Sequence, residues 1–250
     1  MKDSCSWQIP PESNFELSSH EVHVWRIALE QDEGVFEKLF ASFSHDERQR
    51  AEQFKFEKLK KRYIVARGAL RDILSRYADL AAEAIAFEYE AHGKPKLAEA
   101  MNQNQLCFNL SHAENLALLA VSRGHLIGVD VEFVRALDDA EKIAQRFFSP
   151  LESSIFCALP EEQKPAAFFN CWTRKEAFIK ALGEGLSHPL HRFDVSFIDG
   201  EPAALLSTRP DPQEASKWTL LALAPGQNYV GALAVEGGSL ELACWQWEAS

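Results

Sequence analysis

"LIGVDVEFV", residues 126–134, alternates apolar and polar side chains, and this period of two marks a β-strand. Ile127, Val129, Val131 and Phe133 point to one side, Gly128, Asp130 and Glu132 to the other. The apolar set must be covered by another layer. The two acids share the second side with α-carbons roughly 6.5–7 Å apart, which lets both converge on one ion or one charged partner. A pair of acids on a strand is equally the ordinary wet face of a sheet.

Outward from this strand, the order of elements repeats. Upstream, "EVHVWRIAL" (21–29) reads as a strand, and Ser44 and Glu47 of "SHDERQRAEQF" form a capping-box pattern that opens a helix. "KLKKRYIVARGALRDILSRYA" (58–78) repeats apolar residues in steps of three and four and predicts a longer helix with its basic residues outward. "AIAFEYEAHGKPKL" reads as a strand running into a Gly/Pro turn, and "LCFNLSH" and "LALLAVS" as further strands. Downstream, 138–182 is largely helical, and strands are predicted at "HRFDVSFI", "WTLLALA", "YVGALAV" and "LELACWQW". The fold class is α+β. Two similar lobes are expected, residues 1–123 and 124–250, with a cleft where they meet.

Around the helix that contains "WTRKEAFIKALGEG" (172–185) and the residues just before it, Phe168, Cys171, Phe178, Ile179 and Leu182 fall on one arc at about 100° per residue. Lys175 lies inside that arc and Glu176 on its edge. A half-buried carboxylate must pair with a cation or be neutralised. Lys180, one turn on, is the ordinary i,i+4 partner, but that pairing leaves Lys175, Asp130 and Glu132 unexplained. If the three acids converge they require a hard cation. Oxygen-only ligation suits Mg²⁺, and these stretches lack the thiol or imidazole spacing of zinc. Such an ion beside lysines implies a phosphate-bearing substrate.

Two short stretches are compatible with phosphate binding. "HGKPKL" (92–97) holds Lys94 and Lys96 on a Gly/Pro turn, and "NLSHAEN" (109–115) places Ser111 and His112 at a strand end. Each is also an ordinary structural feature, and the remaining histidines read as structural. Between Arg48 and Arg76, ten Lys or Arg stand against three acids, a local +7 that leaves −18 elsewhere. This is either a solvated helix face or a docking surface for an anionic small molecule or acidic protein.

With 250 residues, 46% of them hydrophobic and 11% aromatic, the chain can bury a large core. A net charge of −11 argues against broad nucleic-acid binding. The longest apolar run, Leu116 to Val121, is far too short to span a membrane, and the first residues lack a signal-peptide pattern, so a cytoplasmic protein is expected. The five scattered cysteines suggest reduced, mostly buried thiols.

Taken in order, "GKPKL", "FNLSHAENLALLAVS", "IGVDVE", "RFFSPLE" and "WTRKEAFIKALGEGL" resemble the motif series of the Sfp-type 4'-phosphopantetheinyl transferases. The resemblance is strong from His92 to about Leu190. It implies a monomer of two similar α/β lobes in pseudo-twofold arrangement. It also implies an enzyme that moves the phosphopantetheine arm of coenzyme A onto a serine of an apo acyl or peptidyl carrier protein, releasing 3',5'-ADP. By the same resemblance Asp130, Glu132 and Glu176 correspond to the Mg²⁺ ligands, and Glu176 is also the candidate general base. Lys180 is expected near the phosphates. Arg62, Lys94, Pro95, Ser111 and His112 fall on coenzyme A-binding positions, with Arg62 and His112 at phosphate groups. Ala113 stands where the family often has a small hydroxyl residue. A non-catalytic module binding coenzyme A or carrier proteins, and a Mg²⁺-dependent phosphohydrolase, are the competing readings.

Overall fold

The computed structural model describes residues 6–11, 16–238 and 240–249. The strand at the centre of the sequence reading is β6 (Ile127–Phe133). Before it come β1 (Glu21–Ala28), helices α1 (Glu33–Ala41), α2 (His45–Glu52) and α3 (Glu57–Ala78), the short pair β2 (Phe87–Tyr89) and β3 (Pro95–Leu97), and the hairpin β4 (Leu106–Ala113) and β5 (Leu116–Arg123). After it come α4 (Ala140–Phe147), α5 (Pro150–Cys157), α6 (Lys164–Leu182), the short pair β7 (Phe193–Val195) and β8 (Leu205–Thr208), the hairpin β9 (Trp218–Gly226) and β10 (Tyr229–Glu236), and finally β11 (Glu241–Gln246). Each half thus runs strand, three helices, short pair, long hairpin. The capping box expected at Ser44 and Glu47 opens α2.

The sheets carry the same order. In the first, β1 lies beside β5 and β5 beside β4; in the second, β6 lies beside β10 and β10 beside β9. One addition breaks the match: β11 returns to pair parallel with the other edge of β1, so the first sheet runs β11-β1-β5-β4.

Period-two alternation sorts the side chains into layers. Trp25 and Ile27 of β1, with Ala117, Leu119 and Val121 of β5, pack under Leu70, Ile73 and Leu74 of α3. From the opposite face Val22, Val24, Leu118 and Ala120 meet Ile127, Val129, Val131, Leu233 and Val235 of the second sheet. The far face of that sheet carries Ala232 and Ala234 against Ala177, Phe178 and Ala181 of α6. The order across the molecule is therefore α3, first sheet, second sheet, α6. Each fully buried large apolar side chain in these layers contributes about 1.5–3 kcal/mol.

The basic face of α3 is only partly outward. Arg67 and Arg71 are buried, and both bond the carboxylate of buried Glu47 in α2. Arg71 also donates to the carbonyls of Ala82 and Ile85 at 2.8 Å each, and the Arg67 guanidinium lies over the Phe87 ring. A buried guanidinium is retained only when paired, so these two cations tie α2, α3 and β2 together and are not available for docking. Cys107, Cys157 and Cys171 carry free thiols, whereas Cys244 is disulfide-bonded; the expectation of reduced cysteines fails there.

Candidate active site

Gly128 decides where α6 sits. A Cβ on this residue would lie 2.1 Å from the Ala177 carbonyl oxygen and 2.3 Å from the Ala181 nitrogen. Only a glycine admits the helix backbone so close to the strand. The polar face of β6 read from the sequence is thus covered by α6, and Asp130 lies opposite the helix turn that carries Glu176 and Lys180.

Asp130 is buried. Its Oδ1 accepts from the Lys180 ammonium at 2.7 Å and from the Ser111 hydroxyl at 2.8 Å, and Lys180 also reaches Ser111 Oγ at 2.9 Å. Lys180 is therefore paired with the strand acid, although its charge is still felt by Glu176, its i,i+4 neighbour. Ser111 arrives from β4, the edge strand of the first sheet. Two residues earlier on β4, Asn109 accepts the Val129 backbone N–H at 2.9 Å and so holds the edges of the two sheets together.

Glu176 is pushed up to about 7 by burial and then by the neighbouring charge of Asp130, with Glu132 adding to the effect and Lys180 opposing it. Burial and the Asp130 charge raise Glu132 as well, against Arg135 and Lys180. The three acids thus lie within each other's fields. His112 is depressed by the protein around its ring and then by Lys180 and Arg62, although the residue keeps an exposed surface through which a ligand can reach it. Arg62, on α3, donates to Glu114 and Asn115 of the β4–β5 turn. Arg62, Ser111, His112, Asp130, Glu132, Glu176 and Lys180 accordingly share one neighbourhood. Beside it, a pocket of about 240 Å³ is lined by Lys94, Pro95, Asn109, Lys180 and Gly183.

Among the described residues, no three His, Cys, Asp or Glu side chains are gathered closely enough as they stand to hold a metal ion. The donors nevertheless suit a hard cation. Asp130 Oδ2 and Glu176 Oε1 are buried without a hydrogen-bond partner among the described residues, and bare buried carboxylate oxygens cost free energy until a cation or proton takes them.

Lys175 answers to a different partner. It is fully buried, 2.7 Å from Glu152 of α5, and donates to the carbonyls of Leu190 at 2.8 Å and Phe193 at 2.6 Å. Glu152 in turn accepts the backbone N–H groups of Ser149 and Val195, both at 2.8 Å. The charge inside the apolar arc of α6 is half of a satisfied ion pair that fastens α6 to α5 and β7.

The signature of the 4'-phosphopantetheinyl transferase superfamily matches residues 126–234, and that of the 4'-phosphopantetheinyl transferase N-terminal region matches residues 25–124. Over 239 residues the chain is 41% identical to the 4'-phosphopantetheinyl transferase HetI of Nostoc sp. (strain PCC 7120), covering 96% of this chain and 98% of that protein. The chain belongs to the 4'-phosphopantetheinyl transferases. Among these transferases it is also similar to psf-1 of Bacillus pumilus, 35% identical across 67% of this chain and 69% of that protein. Sfp of Bacillus subtilis (strain 168) is 30% identical across 67% and 71%. The site residues expected from the sequence divide between the two matched regions: Arg62, Lys94, Pro95, Ser111 and His112 lie in the N-terminal one, and Asp130, Glu132, Glu176 and Lys180 in the other.

Sequence reasoning missed three contributors. Gly128 was visible only as a small residue on the polar face of a strand. Asn109 gave no signal beyond an amide in a strand, and Arg135 stands just past the end of β6, where nothing in the sequence ties it to Glu132.

Proposed function

We propose that this phosphopantetheinyl transferase moves the 4'-phosphopantetheine arm of coenzyme A to a serine hydroxyl of an apo acyl or peptidyl carrier protein, giving the holo carrier and 3',5'-ADP. The observation that carries the reading is the seating of Glu176 and Lys180 against Asp130 and Ser111 at the one place where Gly128 lets helix and strand touch.

In this reading Asp130, Glu132 and Glu176 hold Mg²⁺, with the two unpartnered oxygens as its natural donors. When bound, Mg²⁺ neutralises charge on the phosphate oxygens and on the leaving group. The chain's own residues do the rest. The serine oxygen forms a new bond to the phosphorus that bears the pantetheine, and the bond from that phosphorus to the oxygen of 3',5'-ADP breaks. Glu176 takes the serine proton, directly or through a water; its raised proton affinity belongs to the metal-free site and falls beside a bound cation, so the transfer depends on the alignment of the serine or on the bridging water. Lys180 stands beside the acids, where its ammonium offsets charge developing on phosphate. Arg62 and His112 hold phosphate groups of the coenzyme, and Ser111 contributes a hydroxyl. Lys94 and Pro95 form a wall of the adjoining pocket, which accepts part of the same molecule.

The reading includes two lobes, residues 1–123 and 124–250, in pseudo-twofold relation, supported by the repeated order of elements and strands. It takes the protein to act as a monomer in the cytoplasm. No helix among the described residues is long and apolar enough to cross a membrane. Incubation with coenzyme A, Mg²⁺ and an apo carrier protein, followed by mass measurement of the carrier, tests the proposal. A carrier heavier by one phosphopantetheine is expected. Unmodified carrier with intact coenzyme would leave a binding module, and cleaved coenzyme with unmodified carrier a hydrolase.

A further inference from the structure

Lys94 stands at the join between the coenzyme pocket and the acids, and its ammonium is already fully engaged. It donates to the Lys180 carbonyl at 2.7 Å, to the Ile127 carbonyl at 3.1 Å and to the Ala181 carbonyl at 3.4 Å. An ammonium has three donors, and here three backbone oxygens take them. Two of those oxygens belong to the last turn of α6, where carbonyls lack partners within the helix and the macrodipole is negative. The third opens β6, one residue before Gly128. Lys94 therefore clamps strand to helix at the same end where the missing Gly128 side chain lets them touch, and it does so through the backbone of the residue whose side chain meets Asp130. Burial also pulls the Lys94 ammonium below its ordinary range, with Glu90 opposing, as expected of a cation enclosed in protein.

We propose that the Lys94 ammonium is a positioning group for Lys180, fixing the last turn of α6 over β6, and that it is not a ligand of a coenzyme phosphate. This rests on the phosphopantetheinyl transfer reading and refines it. The residue still lines the pocket, while its ammonium is held by the three carbonyls.

The test compares wild type with Lys94→Met and Lys94→Arg. It uses holo-carrier formation at varied coenzyme A, calorimetry of coenzyme A binding, and amide hydrogen exchange across α6. Lys94→Met is expected to lower kcat on the order of 10- to 100-fold, the penalty of a group displaced by a fraction of its reach. KM and Kd for coenzyme A should stay within about threefold. Amides at the end of α6 should exchange faster, and Lys94→Arg, which can donate to the same carbonyls, should recover part of kcat. A rise in KM and Kd of roughly tenfold or more with kcat retained would identify a phosphate ligand and overturn the proposal. Unchanged kinetics and unchanged exchange would overturn it too. If Lys94→Met does not fold, Lys94→Arg decides by the same split. Should the wild type make no holo carrier, the transferase reading falls, and hydrogen exchange in the variants still decides whether Lys94 holds the helix end.

Discussion

The Lys180 ammonium lies 2.7 Å from Asp130 Oδ1, although Glu176 precedes it by one helical turn and would be its partner in an isolated helix. The tertiary contact has displaced the local one. Glu176 is left with a buried oxygen that has no hydrogen-bond partner among the described residues, and a carboxyl in that state holds its proton more tightly than usual.

Asp130→Ala and Glu176→Ala are each expected to abolish transfer while the protein remains folded and soluble. Glu176→Ala removes a buried carboxyl with an unpartnered oxygen, so stability should hold or rise, whereas Asp130→Ala also takes the partner from the Lys180 ammonium and the Ser111 hydroxyl and should lower it. Circular dichroism and the carrier-mass assay together check this; wild-type rates in either variant would count heavily against the assignment.

The Glu176 carboxyl also makes stability depend on pH in a defined direction. Its folded value is about 7 against 4.5 for the free group. Below pH 4.5 it is protonated in both states and carries no penalty. Between those values the unfolded chain ionises while the folded one retains the proton, so stability falls as pH rises through the window and the loss is complete above pH 7. Denaturant titrations at several pH values without divalent ions should show this slope, and Glu176→Gln should remove its contribution. Millimolar Mg²⁺ should restore stability at the alkaline end and have little effect at the acid end.

Gly128→Ala places a methyl carbon 2.1 Å from the Ala177 carbonyl oxygen. The helix must lift, at a cost of about 1–3 kcal/mol or more, and Glu176 and Lys180 move away from Asp130 with it. Transfer should be lost from protein that still unfolds cooperatively, as seen by comparing urea midpoints with activity.

Lys175→Met leaves Glu152 as a buried charge without its cation, and the expected loss is about 3–5 kcal/mol. Because Lys175 faces α5 and β7, the folded fraction at low temperature should keep a kcat near that of wild type. A kcat that collapses while stability is preserved would assign Lys175 to the chemistry.

Much of this was legible in the sequence because it is periodic. The alternation in β6 placed Asp130 and Glu132 on one face, and the helical stripe showed that Lys175 and Glu176 were out of place. Partners distant in the chain were not legible. Glu47 lies 20 and 24 residues from the arginines it neutralises, so α3 read as an outward basic face, solvated or docking, when two of its cations are internal. Glu152 is as remote from Lys175, and Lys94 lies 86 residues from the carbonyl it caps. Helix α1 and strand β8 also escaped notice: β8 is only four residues long, and a short apolar run carries too little period to classify.

Because β11 lies parallel against β1, deleting the chain beyond Leu240 would uncover the bonding edge of a strand buried on both faces. Bare N–H and C=O groups of that kind recruit strands from other molecules. The final strand thus serves as a stopper against self-association, and any fusion partner belongs after it, never in its stead.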